Sequence, residues 1–565
     1  MRTIIGAAMA ALALCVWAPG AGALAQDAHN DRPVSITVDL NHPIGAYKPI
    51  TDWFGYDEAN YTTGHDGKAL LAELHGISGH PVHIRTHNLL TSGDGVAALK
   101  WSSTNVYTED ANGKPVYDFR ILDGIFDEFK AAGITPMVEL GFMPQDLASG
   151  TGPYHALYPA RIEGTTVQNP PKDYAKWREL IRVVTAHLAQ RYGKGTVRKW
   201  YFEVWNEPDQ GYWHGTPAEY FKFYDYTAAG LRAALPGALV GGPATTGPTK
   251  ASADKFLDDF LKHVSKDRSA ATGGPVPLDF VSFHAKGAPS LEDGHVRMGV
   301  SKELKDADTG FATVARYPKF RNLPIIISEA DPEGCAACSP ERVPADIYRN
   351  GTIYPAYTAA ALKGLFDLQD RRKVNLIAML NWAFEFEGRP WFEQLRALST
   401  HGVDKPIVNL FRMAGMMKGD RVASTSTGQV PLDQILTGGV RDQADVDVLA
   451  TRSEHQAAIL LWNYHDDEAP APPAPVTMAI KGLPKGVTRV FLSHYRIDDE
   501  HSNAFTLWQA MGSPQAPTPA QIDELQLKGG LQMLHTPRWA DVQNGVLTVA
   551  THMPRQSVSL VVVGW

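Results

Sequence analysis

Eight short apolar runs, each separated by a stretch of helical character and each ending in polar residues, constrain this chain more than any other feature. They fall at residues 53–56, 82–84, 134–140, 200–205, 238–243, 278–283, 323–329 and 374–380. Helical segments at 122–132, 174–192, 217–235 and 357–369 fit between them. Strand–helix alternation of this kind builds a parallel sheet, and eight repeats close it into a barrel with its functional groups at the carboxyl ends of the strands. The expected class is therefore α/β, a (β/α)8 TIM barrel over residues 46–415. Beyond it the pattern changes to alternating strands such as Val446-Asp447-Val448-Leu449-Ala450 and residues 457–462, and residues 546–549 and 557–563 close the chain as strands, which predicts a β-sandwich over 416–565. An earlier strand at residues 34–40, within a 26–45 segment, is a candidate member of that sandwich. The Pro/Ala-rich tract at 469–475 reads as a loop.

At 565 residues the chain has room for both units. Its net charge of −8 offers no basic face for phosphate, so nucleic acid is excluded as a partner. Residues 1–25 combine an early arginine, a short apolar run and Ala23-Leu24-Ala25, the pattern of a removed secretory signal. The apolar run is short for a membrane span, so an exported, membrane-free protein is expected. Cys335 and Cys338 then remain in a C-x-x-C pair. Without a second pair to complete a common zinc site, and in an oxidising compartment, a local disulfide is the favoured reading. No metal motif such as H-E-x-x-H is present, and the chemistry below requires no cofactor.

The fourth run, Tyr201-Phe202-Glu203-Val204-Trp205, stops at Asn206-Glu207-Pro208, and the seventh stops at Ser328-Glu329. A closed barrel brings both glutamates to one mouth. Two carboxyl groups there suit acetal hydrolysis, in which one protonates the leaving oxygen and the other attacks carbon or activates water. We assign Glu207 as acid/base and Glu329 as nucleophile, with Asn206 orienting a substrate hydroxyl. Arg85, ending the second strand, is placed to neutralise Glu329. His87 and His284 are candidate donors to sugar hydroxyls, and Trp382 a candidate apolar floor beneath the ring. Each of the four has a purely structural alternative.

These stretches resemble glycoside hydrolase family 39. The resemblance is carried by residues 202–208 (FEVWNEP), Glu139-Leu140-Gly141-Phe142-Met143-Pro144, Gly241-Gly242-Pro243-Ala244 and residues 279–285 (DFVSFHA), and it extends over about residues 53–413. It implies a barrel with a β-sandwich, retention of configuration, Glu207 as acid/base and Glu329 as nucleophile, in a family of β-xylosidases and α-L-iduronidases. Where its xylosidases read Arg-x-His-Gly and His-Ala-Tyr, this chain has Arg85-Thr86-His87-Asn88 and His284-Ala285-Lys286. Lys286 thus puts an ammonium beside the nucleophile. The family's acidic segment after the eighth strand is matched loosely by Glu385 or Glu387, with Glu387 taken as the candidate contact. The expectation is a retaining exo-glycosidase acting on plant cell-wall-type oligosaccharides, foremost a β-xylosidase. The alternatives are a glycosidase for an α-L-arabinofuranosyl or uronic acid unit and a catalytically silent carbohydrate-binding barrel.

Overall fold

The structure, a computed structural model, describes residues 32–155, 165–333, 342–393 and 395–565. The signal segment and the Cys335–Cys338 pair lie outside the described residues.

The eight runs form one parallel sheet: Trp53–Tyr56, His83–Thr86, Thr135–Leu140, Tyr201–Val204, Leu239–Thr245, Phe280–His284, Pro324–Glu329 and Asn375–Met379. The eighth strand closes the barrel by dividing its pairing. Asn375–Met379 lies against the seventh strand, and Asn381–Trp382 crosses to pair with Phe54 and Gly55 of the first. Gly55 permits that crossing, since a Cβ there would come within 2.4 Å of the Trp382 ring. The barrel interior is filled by Trp53, Met137, Phe280, Ile326, Ala378, Leu380 and Trp382, a packed core and not a channel.

Two of the surrounding helices start where the sequence provides caps. Asp173 accepts from the Ala175 and Lys176 amides ahead of Tyr174–Tyr192, and Thr216 and Glu219 form a reciprocal capping box ahead of Pro217–Ala234. Ile353–Arg372, which links the seventh strand to the eighth, is buried over most of its circumference. It packs outward on the second sheet, which explains why its sequence lacks a clear polar face.

The second unit is one continuous mixed sheet of nine strands. Its order is Gln532–Asp541, Arg489–Ile497, Ser557–Gly564, Gln456–Tyr464, Asp445–Arg452, Asp420–Ser426, Val34–Ala46, Ala474–Lys481 and Val546–Met553. The N-terminal strand is a central member, antiparallel to Asp420–Ser426 and parallel to Ala474–Lys481. One face closes over a core that includes Val38, Val448, Ile459, Ile480, Leu492 and Val561. The Pro/Ala-rich tract is a loop only to residue 473, because Ala474 and Pro475 already pair with Met553 and His552. Three helices, Leu432–Gly438, Ala504–Ala510 and Pro519–Gly529, interrupt the strands where the sequence reading named none.

Candidate active site

The fourth strand ends by turning sharply. Trp205 (φ 68°) and Glu207 (φ 45°) both take left-handed backbone conformations, which costs about 1–3 kcal/mol per residue and persists only where packing enforces it. Here the indole of Trp205 is fully buried, touches Phe142, Trp213 and Phe223, and donates to the Tyr212 carbonyl at 2.7 Å. The Glu207 amide is pinned to Ala244 O at 2.9 Å, and Asp209 accepts from the Thr246 amide at 2.8 Å. The Glu207 carboxyl is thereby aimed into the mouth. On the opposite wall Glu329 closes the seventh strand, and its carbonyl accepts from Ala285 N at 3.0 Å.

One carboxylate oxygen of Glu207, one of Glu329 and a ring nitrogen of His284 lie within 4.8 Å of one another. That spacing suits direct attack by one carboxylate, since water-activating pairs stand about 6.5–9.5 Å apart. By distance alone the same donors would also hold a cation. However, Glu329 already carries Arg85 Nη1 at 3.1 Å and Lys286 Nζ at 2.9 Å, so its charge is balanced without one.

Around Glu329 the field is strongly positive. Burial by itself would raise its pKa, but His284, Lys286 and Arg85 outweigh burial and hold it far below the usual carboxylate range. Arg85 is fully buried and uses its whole fork: Nε to Glu203 at 2.6 Å, Nη1 to Glu329 and to His87 Nε2 at 2.8 Å, and Nη2 to Asn206 Oδ1 at 2.9 Å. Because Oδ1 of Asn206 is taken, its amide NH2 is the group left for a substrate hydroxyl. Lys286 also bonds to Asp331. Burial would lower its pKa, but Asp331 and Glu329 prevail and keep it above the normal lysine range. Asp331 is shared with Arg349 at 2.9 Å, and Arg349 reaches Glu333 at 2.5 Å.

The model of glycosyl hydrolases family 39 matches residues 83–530. The chain belongs to that family. It is 29% identical over 456 residues to a beta-xylosidase of Caldicellulosiruptor saccharolyticus, covering 76% of this chain and 80% of the relative. It is 26% identical over 386 residues to an alpha-L-iduronidase of Mus musculus, covering 62% and 56%. A crystal structure of a monomeric beta-xylosidase from Caulobacter crescentus CB15 superposes with a TM-score of 0.73 at 25% identity, over 94% of this chain and 99% of that one. As a family 39 member the protein is a glycosidase of a retaining family, and among the described residues no helix is long and apolar enough to cross a membrane.

Within this family 39 site several side chains sit differently from expectation. His87 is not open to sugar: its Nδ1–H donates to Asp57 Oδ1 at 2.6 Å and Nε2 accepts from Arg85. Burial, then Arg85, pushes its pKa down to about 4, so it is a neutral spacer. His284 is also fully buried and joins the carboxylates, with Nδ1 2.9 Å from Glu207 Oε1 and 3.8 Å from Glu329 Oε2. Trp382 is only 2% exposed and backs the Arg85 guanidinium, which lies 5.1 Å from its ring, and the neutral His87 ring at 4.5 Å; this is support from below and not an open platform. Glu387 is displaced from the candidate contacts. It accepts from the Asp66 amide at 2.9 Å and so caps His65–His75. Glu385 is bound to Ser399 Oγ (2.6 Å) and Gly402 N (3.0 Å).

The sequence reading missed Asp57, Glu139, Glu203, Asp331 and Arg349. Glu203 and Glu139 carried a signal, being acids inside otherwise apolar strands, where a buried charge must find a partner or be neutralised. Glu203 found Arg85. Burial, with Glu203, Asp57 and Glu329 adding to it and Arg85 opposing, drives Glu139 well above the usual carboxylate range, and its carboxyl lies 3.3 Å from His87 Nε2.

Proposed function

We propose that the protein is an exported, retaining exo-glycosidase that removes β-xylosyl units from the non-reducing ends of oligosaccharides by double displacement. The observation that carries the reading is the unequal setting of two adjacent carboxyl groups. Glu329 is held as an anion by two permanent cations, whereas Glu207 touches, among the described residues, only His284 and Gln210. In the first step Glu329 attacks the anomeric carbon as the bond to the leaving oxygen breaks, and Glu207 gives that oxygen its proton. In the second, Glu207 takes a proton from water, whose oxygen attacks the same carbon and expels Glu329 as carboxylate. Asn206 holds a hydroxyl of the sugar meanwhile. Side-chain exposures of 9% for Glu329 and 16% for Glu207 describe a recessed pocket, in keeping with a chain-end substrate. The xylosidase relatives support the choice of sugar, and the N-terminal segment supports export.

A second reading has its own observation. Lys286 brings an ammonium within 2.9 Å of the nucleophile, which suits a uronic acid carboxylate. Both are tested by hydrolysis of a panel of nitrophenyl glycosides by wild type, Glu207→Ala and Glu329→Ala, with azide added. Cleavage of the β-xyloside, a β-azide from Glu207→Ala and an α-azide from Glu329→Ala are expected. Cleavage of a uronide or arabinofuranoside alone would replace the sugar and keep the mechanism. Binding without turnover on any member would contradict the enzyme reading and favour a silent carbohydrate-binding barrel.

A further inference from the structure

After Lys286 the chain leaves the barrel as a hairpin, Ser290–Glu292 paired with His295–Arg297, before the helix Val300–Ala315 begins. Its two ends lie side by side, since a Cβ on Gly299 would fall within 2.8 Å of Ala288 N. Its stem is tied to the site: Gly287 N donates to Asp331 O at 3.3 Å, and Lys302 Nζ donates to Lys286 O at 3.1 Å. Any displacement of the hairpin is thus passed to the segment that presents Lys286 to Glu329.

The far side of this hairpin is held by the second sheet. The loop at residues 465–468, following the strand Gln456–Tyr464, receives Met298 N on Asp466 O (2.7 Å) and sends Glu468 N to Val296 O (2.8 Å). Between these bonds Arg297 forks onto Asp467, Nε to Oδ1 at 2.5 Å and Nη2 to Oδ2 at 3.2 Å. His295 lies 3.5 Å from the same carboxylate. The loop is itself fixed: Asp466 accepts from Val440 N (3.0 Å) and Tyr464 OH (2.6 Å), and Gln556 donates to the carbonyls of His465 (2.8 Å) and Asp467 (3.1 Å). Its other edge meets the turn Pro344–Asn350, whose Arg349 shares Asp331 with Lys286; a Cβ on Gly351 would stand 3.5 Å from Glu468 Oε1. The hairpin packs on that turn as well. The loop therefore braces both segments whose cations converge on Asp331.

We propose that Asp467 is a positioning residue: by gripping Arg297 from the second sheet, it sets the Lys286 ammonium against the nucleophile. The second sheet is then part of the catalytic apparatus and not only a support for the barrel. The claim rests on the glycosidase reading for its effect on turnover, but the placement of Lys286 can be read without substrate. The charged groups facing Asp467 are Arg297, His295 and His465, with Glu292 and Glu468 beyond them. Those facing Glu329 are His284, Lys286 and Arg85, with the neutral His87 beside them and Glu207 across the pocket.

The test compares wild type, Asp467→Ala, the isosteric Asp467→Asn and the conservative Arg297→Lys. Reductive methylation with formaldehyde and cyanoborohydride, followed by peptide mass spectrometry, reports the protection of Lys286. The pH profile of kcat/KM on a cleaved glycoside reports its field on Glu329. Expected are labelling of Lys286 roughly tenfold faster in both Asp467 variants, as local opening becomes easier, and an acidic limb moved to higher pH. Arg297→Lys should lie between them and wild type on both readouts. Unchanged protection of Lys286 would overturn the proposal. So would lost protection with an unmoved acidic limb, which would reduce Asp467 to a structural brace. If wild type cleaves no glycoside, the functional reading fails and the methylation result alone decides where Asp467 places Lys286. Should Asp467→Ala not fold, Asp467→Asn carries the test.

Discussion

The two walls of the barrel mouth are built differently. On the Glu329 wall every neighbour is tied to another: Arg85 to Glu203, Asn206 and His87, His87 to Asp57, and Lys286 to Asp331 and through it to Arg349. On the Glu207 wall the carboxyl has two partners among the described residues, His284 and Gln210, neither a permanent cation, and more of its surface meets solvent. A group that must stay ionised is locked into a charge network. A group that must pass a proton each way is left with neutral or titratable partners and access to water.

The largest break in that comparison should come from Glu329→Gln, which removes the centre of the network. We expect kcat to fall on the order of 10⁴-fold or more, whereas Glu207→Gln should cost roughly 10²-fold on nitrophenyl substrates, whose leaving groups need little protonation. Steady-state kinetics on the two variants measures the contrast directly; equal losses would remove it. Next comes Arg85→Ala. It strands the buried Glu203 and frees Glu329, so a stability loss of about 3–5 kcal/mol is expected in urea unfolding, with an activity loss of about 10²-fold or more in what remains folded.

Lys286→Ala should sharpen the comparison without unfolding the barrel. Glu329 must be ionised to attack, and Lys286 is one of the charges that depress its pKa. Without it that pKa rises, so the acidic limb of kcat/KM moves to higher pH and activity at mildly acidic pH falls first. A limb that stays in place would show Arg85 and His284 to be sufficient. The smallest effect is expected from Glu387→Ala, a residue of neither wall. Losing a helix N-terminal contact should lower stability by about 0.5–1 kcal/mol, with kcat within about twofold of wild type.

The strand ends were legible because period, polarity and punctuation coincide there. Residues 200–205 are apolar until Asn206, and 323–329 until Glu329, so the catalytic positions follow from counting strands. Arg85 and Lys286 were legible for the same reason. Their bonding was not, since which acid an arginine meets across the barrel depends on register and tilt. Glu203, two residues before Trp205, shows a clue passed over: an acid within a strand that must be buried on both faces calls for a buried cation. Glu385 and Glu387 could not be told apart because the chain after Trp382 has left regular structure and its side chains follow no period. The helix at Pro519–Gly529 was legible in principle from Thr518 and Gln521, a capping signature, but was overlooked among strands.

The account rests most heavily on Glu329 as a nucleophile that becomes covalently bound to the sugar. The direct measurement is mass spectrometry of peptides from enzyme inactivated with a 2-deoxy-2-fluoro xyloside bearing a dinitrophenyl leaving group. An adduct of one fluorosugar on the peptide containing Glu329, absent from Glu329→Gln, is the predicted result. Inactivation with the sugar on another residue, or hydrolysis of β-xylosides that inverts the anomeric centre and leaves no adduct, would contradict it.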